Sequence, residues 1–454
     1  LVDADLDCIP DLWIAGSDAT AWDLTEAPEQ VGSLPVLDGA VCFAIGDVDE
    51  DGIPDVASSD GHEVRIYRGT EGRTPDYSEV ISTVKANATD MMLADIDMEG
   101  DLDLLMATGT GPIQFALNEG RGFRSVQDSP SLRGKQAVDR IIAVRDLDLD
   151  HDADLLLQGE SLSWISGAPQ WKYQENPEQR PLTVGGPIHA SSILLVDVDG
   201  NLEQELVLLQ QGKLSIQKRA ATTRDAVGKA LFEGLVDLPA EISSANYRTI
   251  AAADLDLNGT QELLLSTSKN TVVVQFQEGS ASIATMTLPA AVTIVVGDID
   301  GDGDPDLIIE KDDGSLWLVR NSLDIENKKL HAFRGHLGGR RDGDDRRTNL
   351  LGFGARLELR NPDQALLAFQ EGSAGHRARG LQPVVIGVAT STRISSLIIE
   401  WPDGVLQAEI DVPVDLCQEI EEVQRKSSSC PILFTFDGKQ WNFISDFMGG
   451  GGLG

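Results

Sequence analysis

The sequence predicts an all-β fold, a seven-bladed β-propeller followed by a small C-terminal β domain. Three observations carry this expectation. An acidic nine-residue pattern, Asp-x-Asp-x-Asp-Gly-x-x-Asp with some degraded positions, recurs seven times, starting at Asp3, Asp47, Asp95, Asp146, Asp197, Asp254 and Asp298. Short β-branched or aliphatic runs flank the copies, and the spacing of the copies matches the length of a four-stranded propeller blade.

The last copy shows the strand logic. Val292 to Val296 precede its acidic loop, Leu307 to Ile309 follow it, and Ser315 to Val319 come after an Asp312-Asp313-Gly314 turn. Short apolar runs bounded by Gly and Asp read as strands. In the second copy Val80, Ile81 and Val84 mark a fourth strand. Each sheet has apolar faces that radial stacking buries between neighbours. The first copy is preceded only by Leu1 and Val2. Ring closure is therefore expected to be incomplete there, or to come from the segment after Val319.

Calcium explains the loops. It takes six to eight hard oxygen ligands in a flexible geometry, and a tight turn with carboxylates at alternate positions turns several oxygens inward. Positions 1, 3, 5 and 9 are expected to supply side chains, and position 7 a carbonyl such as that of Ile53 or Asp304. Glycine at position 6 permits a left-handed backbone.

The copies are graded. Asp47, Asp49, Asp51 and Asp55 with Gly52 are complete, as are Asp298, Asp300, Asp302 and Asp306 with Gly303. The third has Asp95, Asp97, Glu99 and Asp103 with Gly100; the sixth has Asp254, Asp256, Asn258 and Glu262 with Gly259. Asp3, Asp5, Asp7 and Asp11 surround Cys8, and Asp146, Asp148, Asp150 and Asp154 surround His151, so both turns are expected to be strained or differently shaped. The fifth, Asp197, Asp199, Asn201 and Glu205, is weakest and also lacks the glycine.

An EF-hand reading fails, because position 12 is Ser58 or Ile309 inside a strand rather than a bidentate Glu before a helix. Solvated Asp-Gly turns are the plainer alternative for one copy and a poor one for seven in register. Carboxylates held this close repel without a cation, so metal is expected to contribute to folding stability.

The 74 acidic and 36 basic residues give a formal charge of −38, which disfavours nucleic acid and anionic membrane surfaces as partners. No apolar run approaches the roughly 18 residues of a spanning helix, so no direct membrane insertion is expected. The chain opens at Leu1 on an acidic loop, as a mature or truncated fragment would. Cys417 and Cys430 bracket a Ser-rich loop and are a candidate disulfide, leaving Cys8 and Cys42 free or buried.

The repeats resemble the FG-GAP and VCBS family, the calcium-loop blades of integrin α-chain heads and many bacterial surface and secreted proteins. Further on, Asn349-Leu350-Leu351-Gly352-Phe353-Gly354-Ala355-Arg356 and the turn Trp401-Pro402-Asp403-Gly404 resemble the ASPIC/UnbV domain, which follows such blades in cartilage acidic protein-like bacterial proteins. Leu350 departs from the Arg usual there. The resemblance implies an extracytoplasmic adhesion or interaction protein, secreted, periplasmic or at the cell surface. The expected organisation is a propeller over 1–330, an ASPIC/UnbV-like β domain over 331–412, and over 413–454 a helix or linker with the start of a hairpin turning at Asp437-Gly438.

No GxSxG, HExxH or phosphate-binding glycine loop marks an active site, so the chain is not expected to be an enzyme. His331 and His336 precede a basic stretch, Arg340, Arg341, Arg346 and Arg347, interrupted by Asp342, Asp344 and Asp345, which reads as a solvated self-neutralising loop between domains. Trp13, Trp164 and Trp317 are expected to pack between blades, and Trp22 and Trp171 to lie in connections as surface contacts. The favoured function is a calcium-binding module for a protein or glycan ligand. The alternative is a secreted carbohydrate-active or other hydrolytic propeller using carboxylates near the central channel.

Overall fold

Short β-branched runs separated by Gly and Asp turns satisfy their backbone groups in sheets. The computed structural model describes residues 1–72, 76–120, 122–123, 136–148, 152–167, 180–182, 188, 190–220, 231–277, 280–323, 330–339, 347–371, 378–423, 432–436 and 441–446. Among these residues the helices are Ala240–Ser243 and a single 3-10 turn, Pro35–Leu37.

Seven sheets, antiparallel between strands consecutive in the chain, follow one another. The first contains Leu12–Ile14, Thr20–Asp23 and Glu29–Ser33. The other six open with Cys42–Gly46, Asp90–Ala94, Val138–Arg145, Ser192–Val196, Thr249–Ala253 and Thr293–Gly297. In each of these six the acidic loop leads to a second strand whose first residue is position 9: Asp55, Asp103, Asp154, Glu205, Glu262 or Asp306.

After that acidic residue the second strands are largely apolar because both faces are covered. Successive side chains point to opposite faces, and the packing follows that alternation. Leu155 and Leu157 join a core with the third sheet, whereas Leu156 joins one with the fifth. Val207 and Leu209 pack with the sixth sheet and Leu206 and Leu208 with the fourth. Leu307 and Ile309 meet the sixth sheet. Ile308 and Ile299 meet Leu24 of the first, with Leu1, Leu12 and Trp22 packed alongside. Each sheet thus stacks on the next and the last returns to the first, in a propeller-like ring. First strands of neighbouring sheets approach one another, which places them nearest the centre.

Residues 332–421 form a second unit. Arg356–Asn361 lies between Gln364–Phe369 and Arg393–Glu400, with Leu406–Pro413 outermost, and the facing sheet sets Ala332–Gly338 between Val384–Gly387 and Cys417–Glu421. One core, including Phe333, Leu357, Leu397, Ile399 and Trp401, joins the two sheets. Asn349 braces the entry turn: its amide accepts the Phe353 N–H and donates to the Phe353 carbonyl, both at 2.9 Å.

The structure corrects several expectations. After 413 the described residues form a strand where a helix or linker was expected: Cys417–Glu421 pairs in parallel with Ala332–Gly338. Its Glu-rich composition hid a period-2 pattern in which Gln418 and Ile420 are half-buried and Cys417, Glu419 and Glu421 exposed. Cys417 is bonded to Cys8, 409 residues away, and Cys42 is buried outside any disulfide. Spacing along the chain favoured Cys430, but the fold brings the two domains' ends together. Trp13 and Trp164 are buried, whereas Trp317 is 48% exposed, with the Lys311 amino group 4.3 Å from its ring centre. Trp22 lies in a strand rather than a connection. The hairpin Ile432–Phe436 with Trp441–Asp446 forms. Its turn at Asp437-Gly438, and Trp171, Cys430 and residues 340–346, lie outside the described residues.

The missing inner strand of the first sheet is replaced in part by a segment from far along the chain. Val2 bridges Asp11 and also, in parallel, Leu381. Ala378–Arg379 pairs in parallel with Phe43 and Ala44, on the central side of the second sheet. The second unit therefore sends backbone into the middle of the ring.

Candidate metal centres

The loops share one backbone design. The position-1 carboxylate accepts the N–H of position 6: Asp3 from Cys8 at 2.8 Å, Asp47 from Gly52 at 2.8 Å and Asp95 from Gly100 at 3.0 Å. Asp197 does so from Leu202 at 2.8 Å, Asp254 from Gly259 at 2.9 Å and Asp298 from Gly303 at 3.0 Å. Position 6 is left-handed in every described copy, with φ of 69° at both Cys8 and Leu202. The first and fifth copies, without glycine, keep the same turn and accept its cost of about 1–2 kcal/mol, and His151 of the fourth lies outside the described residues. Position 4 is also left-handed, at Leu6, Glu50, Met98, Gly200, Leu257 and Gly301. Side chains this varied gave no sequence signal for that second bend.

Position 9 ties the loop to its sheet. One Asp55 oxygen accepts the Val48 N–H at 2.9 Å and the other the Gly69 N–H at 2.8 Å. Asp103 does the same for Ile96 and Asn118, Asp154 for Leu147 and Gly167, and Asp306 for Ile299 and Asn321. Position-5 side chains accept the N–H of position 7, as Asp51 does from Ile53 at 2.9 Å and Asn258 from Thr260 at 2.7 Å.

Carboxylate oxygens within 4.8 Å of one another come from positions 1, 3 and 9 in four loops: Asp47, Asp49 and Asp55; Asp95, Asp97 and Asp103; Asp146, Asp148 and Asp154; Asp197, Asp199 and Glu205. In the first loop the group is Asp3, Asp5 and Asp7, and Asp11 falls outside it. Asp150 lies outside the described residues. Asp95, Asp97 and Asp103 are all buried.

Crowding such groups away from water is costly. Burial pushes Asp47 up to about 8 and Asp55 up to about 7, with neighbouring acids adding to the shift. Burial, then Asp101 and Asp97, holds Asp95 well above the usual carboxylate range, and Asp103 and Asp154 behave alike. Glu205 and Asp254 rise to about 7 and Glu262 to about 8, again chiefly through burial. The Oδ1 atoms of Asp95, Asp254, Asp298 and Asp300 are buried without a hydrogen-bond partner. Buried oxygens that no donor satisfies, in a group of like charges, are the environment a hard divalent cation relieves. The residues present therefore fit calcium.

Three features escaped sequence reading. Asp101 and Asp304, at position 7, add side-chain carboxylates to the third and seventh groups: Asp101 raises Asp95, and Asp304 itself rises to about 7 by burial and the nearby acids. Their signal was present, since both are Asp, but position 7 was expected to act through its carbonyl. Arginines pair with position 3 in two loops, Arg68 with Asp49 at 2.6 Å and Arg320 with Asp300. The second domain also lies on the face where the loops open. His336 Nε2 is 2.8 Å from Asp3 Oδ2, Arg334 reaches Asp298, Gly387 N–H donates to Asp254 at 3.1 Å and Gln364 donates to the Asn258 carbonyl at 2.6 Å. Arg145, just before the fourth loop, pairs with Glu371 at 3.5 Å and stacks on Phe369 at 4.4 Å. These contacts join residues far apart in sequence, where no local pattern records them.

Two family models match stretches of the chain: the FG-GAP-like repeat over residues 47–106, and ASPIC and UnbV over residues 345–427. No curated protein matches the chain significantly. Similar solved structures include BBS1N in complex with ARL6DN, at 13% identity and TM-score 0.42, covering 71% of this chain and 94% of that one. An Agrocybe aegerita lectin that recognises non-reducing terminal N-acetylglucosamine matches at 14% and 0.45, covering 70% and 91%. The V. cholerae biofilm matrix protein Bap1 matches at 12% and 0.35, covering 81% and 58%. These likenesses are too distant to bear on ligand or partner.

Proposed function

For a chain that carries an FG-GAP-like repeat and an ASPIC/UnbV domain, we propose an extracytoplasmic calcium-binding interaction module that presents its propeller to a protein or glycan partner, with calcium as a structural staple. The observation that carries this reading is the third loop, where Asp95, Asp97 and Asp103 converge in full burial and Asp95 Oδ1 has no donor. An all-oxygen set of this kind selects a hard cation.

Other features agree with the proposal. A disulfide joining Cys8 to Cys417 belongs to an oxidising compartment. Among the described residues no helix is long and apolar enough to cross a membrane. Backbone from Ala378–Arg379 lies beside the innermost strand of the second sheet, and the second domain rests on several acidic loops. That arrangement favours binding over catalysis by carboxylates at an open channel.

The face left to a partner is the opposite one. Antiparallel pairing puts the turns between second and third strands there, including 60–63, 267–270 and 312–315. Trp317 stands exposed beside the last of these turns and offers a ring for stacking. The test is a screen of the full chain against glycans and proteins with calcium and with chelator. Binding retained with calcium and lost on chelation supports the proposal; turnover of a glycan without stable binding contradicts it.

A further inference from the structure

Three residues of the second domain reach the position-1 carboxylates of three acidic loops. His336 Nε2 lies 2.8 Å from Asp3 Oδ2 in the first loop. The Gly387 N–H donates to Asp254 Oδ2 at 3.1 Å in the sixth, and Arg334 Nη1 donates to Asp298 Oδ2 at 3.1 Å in the seventh. In each loop that same oxygen accepts the position-6 N–H, from Cys8, Gly259 or Gly303. The other oxygen of Asp254 and of Asp298 is buried without a partner, free to face an ion.

The second domain also holds the backbone of these loops. The Ala389 N–H donates to the Leu257 carbonyl at 2.8 Å, Gln364 to the Asn258 carbonyl at 2.6 Å and Arg334 to the Gly301 carbonyl at 2.7 Å. Cys8, at position 6 of the first loop, is bonded to Cys417. A Cβ added to Gly387 would stand 2.3 Å from Asp254 Oδ2 and 2.4 Å from the Leu257 Cα, so this strand lies directly against the sixth loop. An ion leaves such a site by local opening, which costs more when the loop is pinned from outside.

The remaining loops are held differently. Among the described residues, Asp47 accepts the N–H groups of Asp51 and Gly52, and Asp197 those of Gly200, Asn201 and Leu202, all within their own loops. Asp95 and Asp146, which open the third and fourth loops, line a cavity of about 40 Å³ against Gly354 and Trp401 of the second domain. A polar cavity of that size admits water.

We propose that the second domain is a lid that locks calcium into the first, sixth and seventh loops. The chain then carries two kinds of calcium, slowly exchanging ions beneath the lid and readily exchanging ions in the second to fifth loops. The inference rests on the calcium reading of the loops. Because linkage is reciprocal, the locked ions also hold the lid in place. The readily exchanging ions are the ones that follow the calcium level around the protein.

The test follows calcium release by stopped flow. The full chain is loaded with calcium, freed of excess by gel filtration and mixed with a fluorescent chelator. Release in two phases is expected, the slow one trailing by at least about tenfold, within the range typical of coupled sites. Asp254→Asn lowers the slow amplitude and Asp47→Asn the fast one. Gly387→Ala drives the strand off the sixth loop and moves amplitude from the slow phase to the fast. Loss from the same phase in both aspartate variants, or an unchanged slow amplitude in Gly387→Ala, overturns the inference. The aspartate variants leave the second domain's sequence intact, so they decide the matter if Gly387→Ala misfolds. Wild-type protein that binds no calcium overturns the calcium reading and this inference with it; calcium that is bound but released in a single phase overturns the inference alone.

Discussion

At the scale of single residues, a loop depends on where its backbone turns left-handed and on which oxygens it leaves unsatisfied. Gly303 has φ of 96°, and an added Cβ would meet nothing closer than Ala332 at 3.9 Å. Gly303→Ala therefore isolates backbone strain from steric clash and should cost about 1–2 kcal/mol, read as a shift in denaturation midpoint. Asp95→Asn should change sign with conditions. Without metal it removes one of several buried charges and raises the melting temperature; with calcium it removes a ligand and lowers it. A shift in the same direction under both conditions would contradict the role given to Asp95. The ligand spacing was legible in the sequence because alternate acids around a glycine leave a plain mark. The left-handed bend at position 4 was not, since Glu50, Met98 and Leu257 have no common chemistry.

Strands and their joins form the next scale. Runs such as Asp154–Gly159 were readable because apolar residues on both faces make a continuous pattern, and the alternation assigns each face to a different neighbouring sheet. Links between sheets were less visible. The Asn118 amide donates to the Val48 carbonyl in the preceding loop at 2.8 Å, and Asn321 donates to Leu255 in the same way at 2.8 Å. Asn118→Ala should cost about 1–3 kcal/mol by stranding a buried carbonyl, and urea denaturation would show it. Cys417–Glu421 went unrecognised because a Glu-rich edge strand exposes every second residue and resembles a solvated segment.

The whole molecule is a ring with a second domain seated over its acidic loops. That docking was illegible in sequence, because Arg334, His336, Gly387 and Cys417 act only once the fold brings them to partners hundreds of residues away. The Cys8–Cys417 bond closes a very long loop. Cys417→Ser should destabilise the chain by about 2–4 kcal/mol, seen as a lower melting temperature and faster proteolysis.

Stability should also depend on pH with a definite sign. Several loop carboxylates rise in the metal-free fold, from Asp306 at about 6 to Asp47 at about 8, against about 4 when unfolded. Between those limits the folded chain holds more protons than the unfolded one, so metal-free stability falls as pH rises from about 4 to about 8. Calcium should reverse that slope, because protons compete for its ligands.

The most direct test of calcium as a structural staple is thermal unfolding of the full chain at neutral pH in chelator and then in excess calcium. A melting temperature that drops markedly with chelator and returns with calcium is the predicted result; an unchanged melt would contradict it.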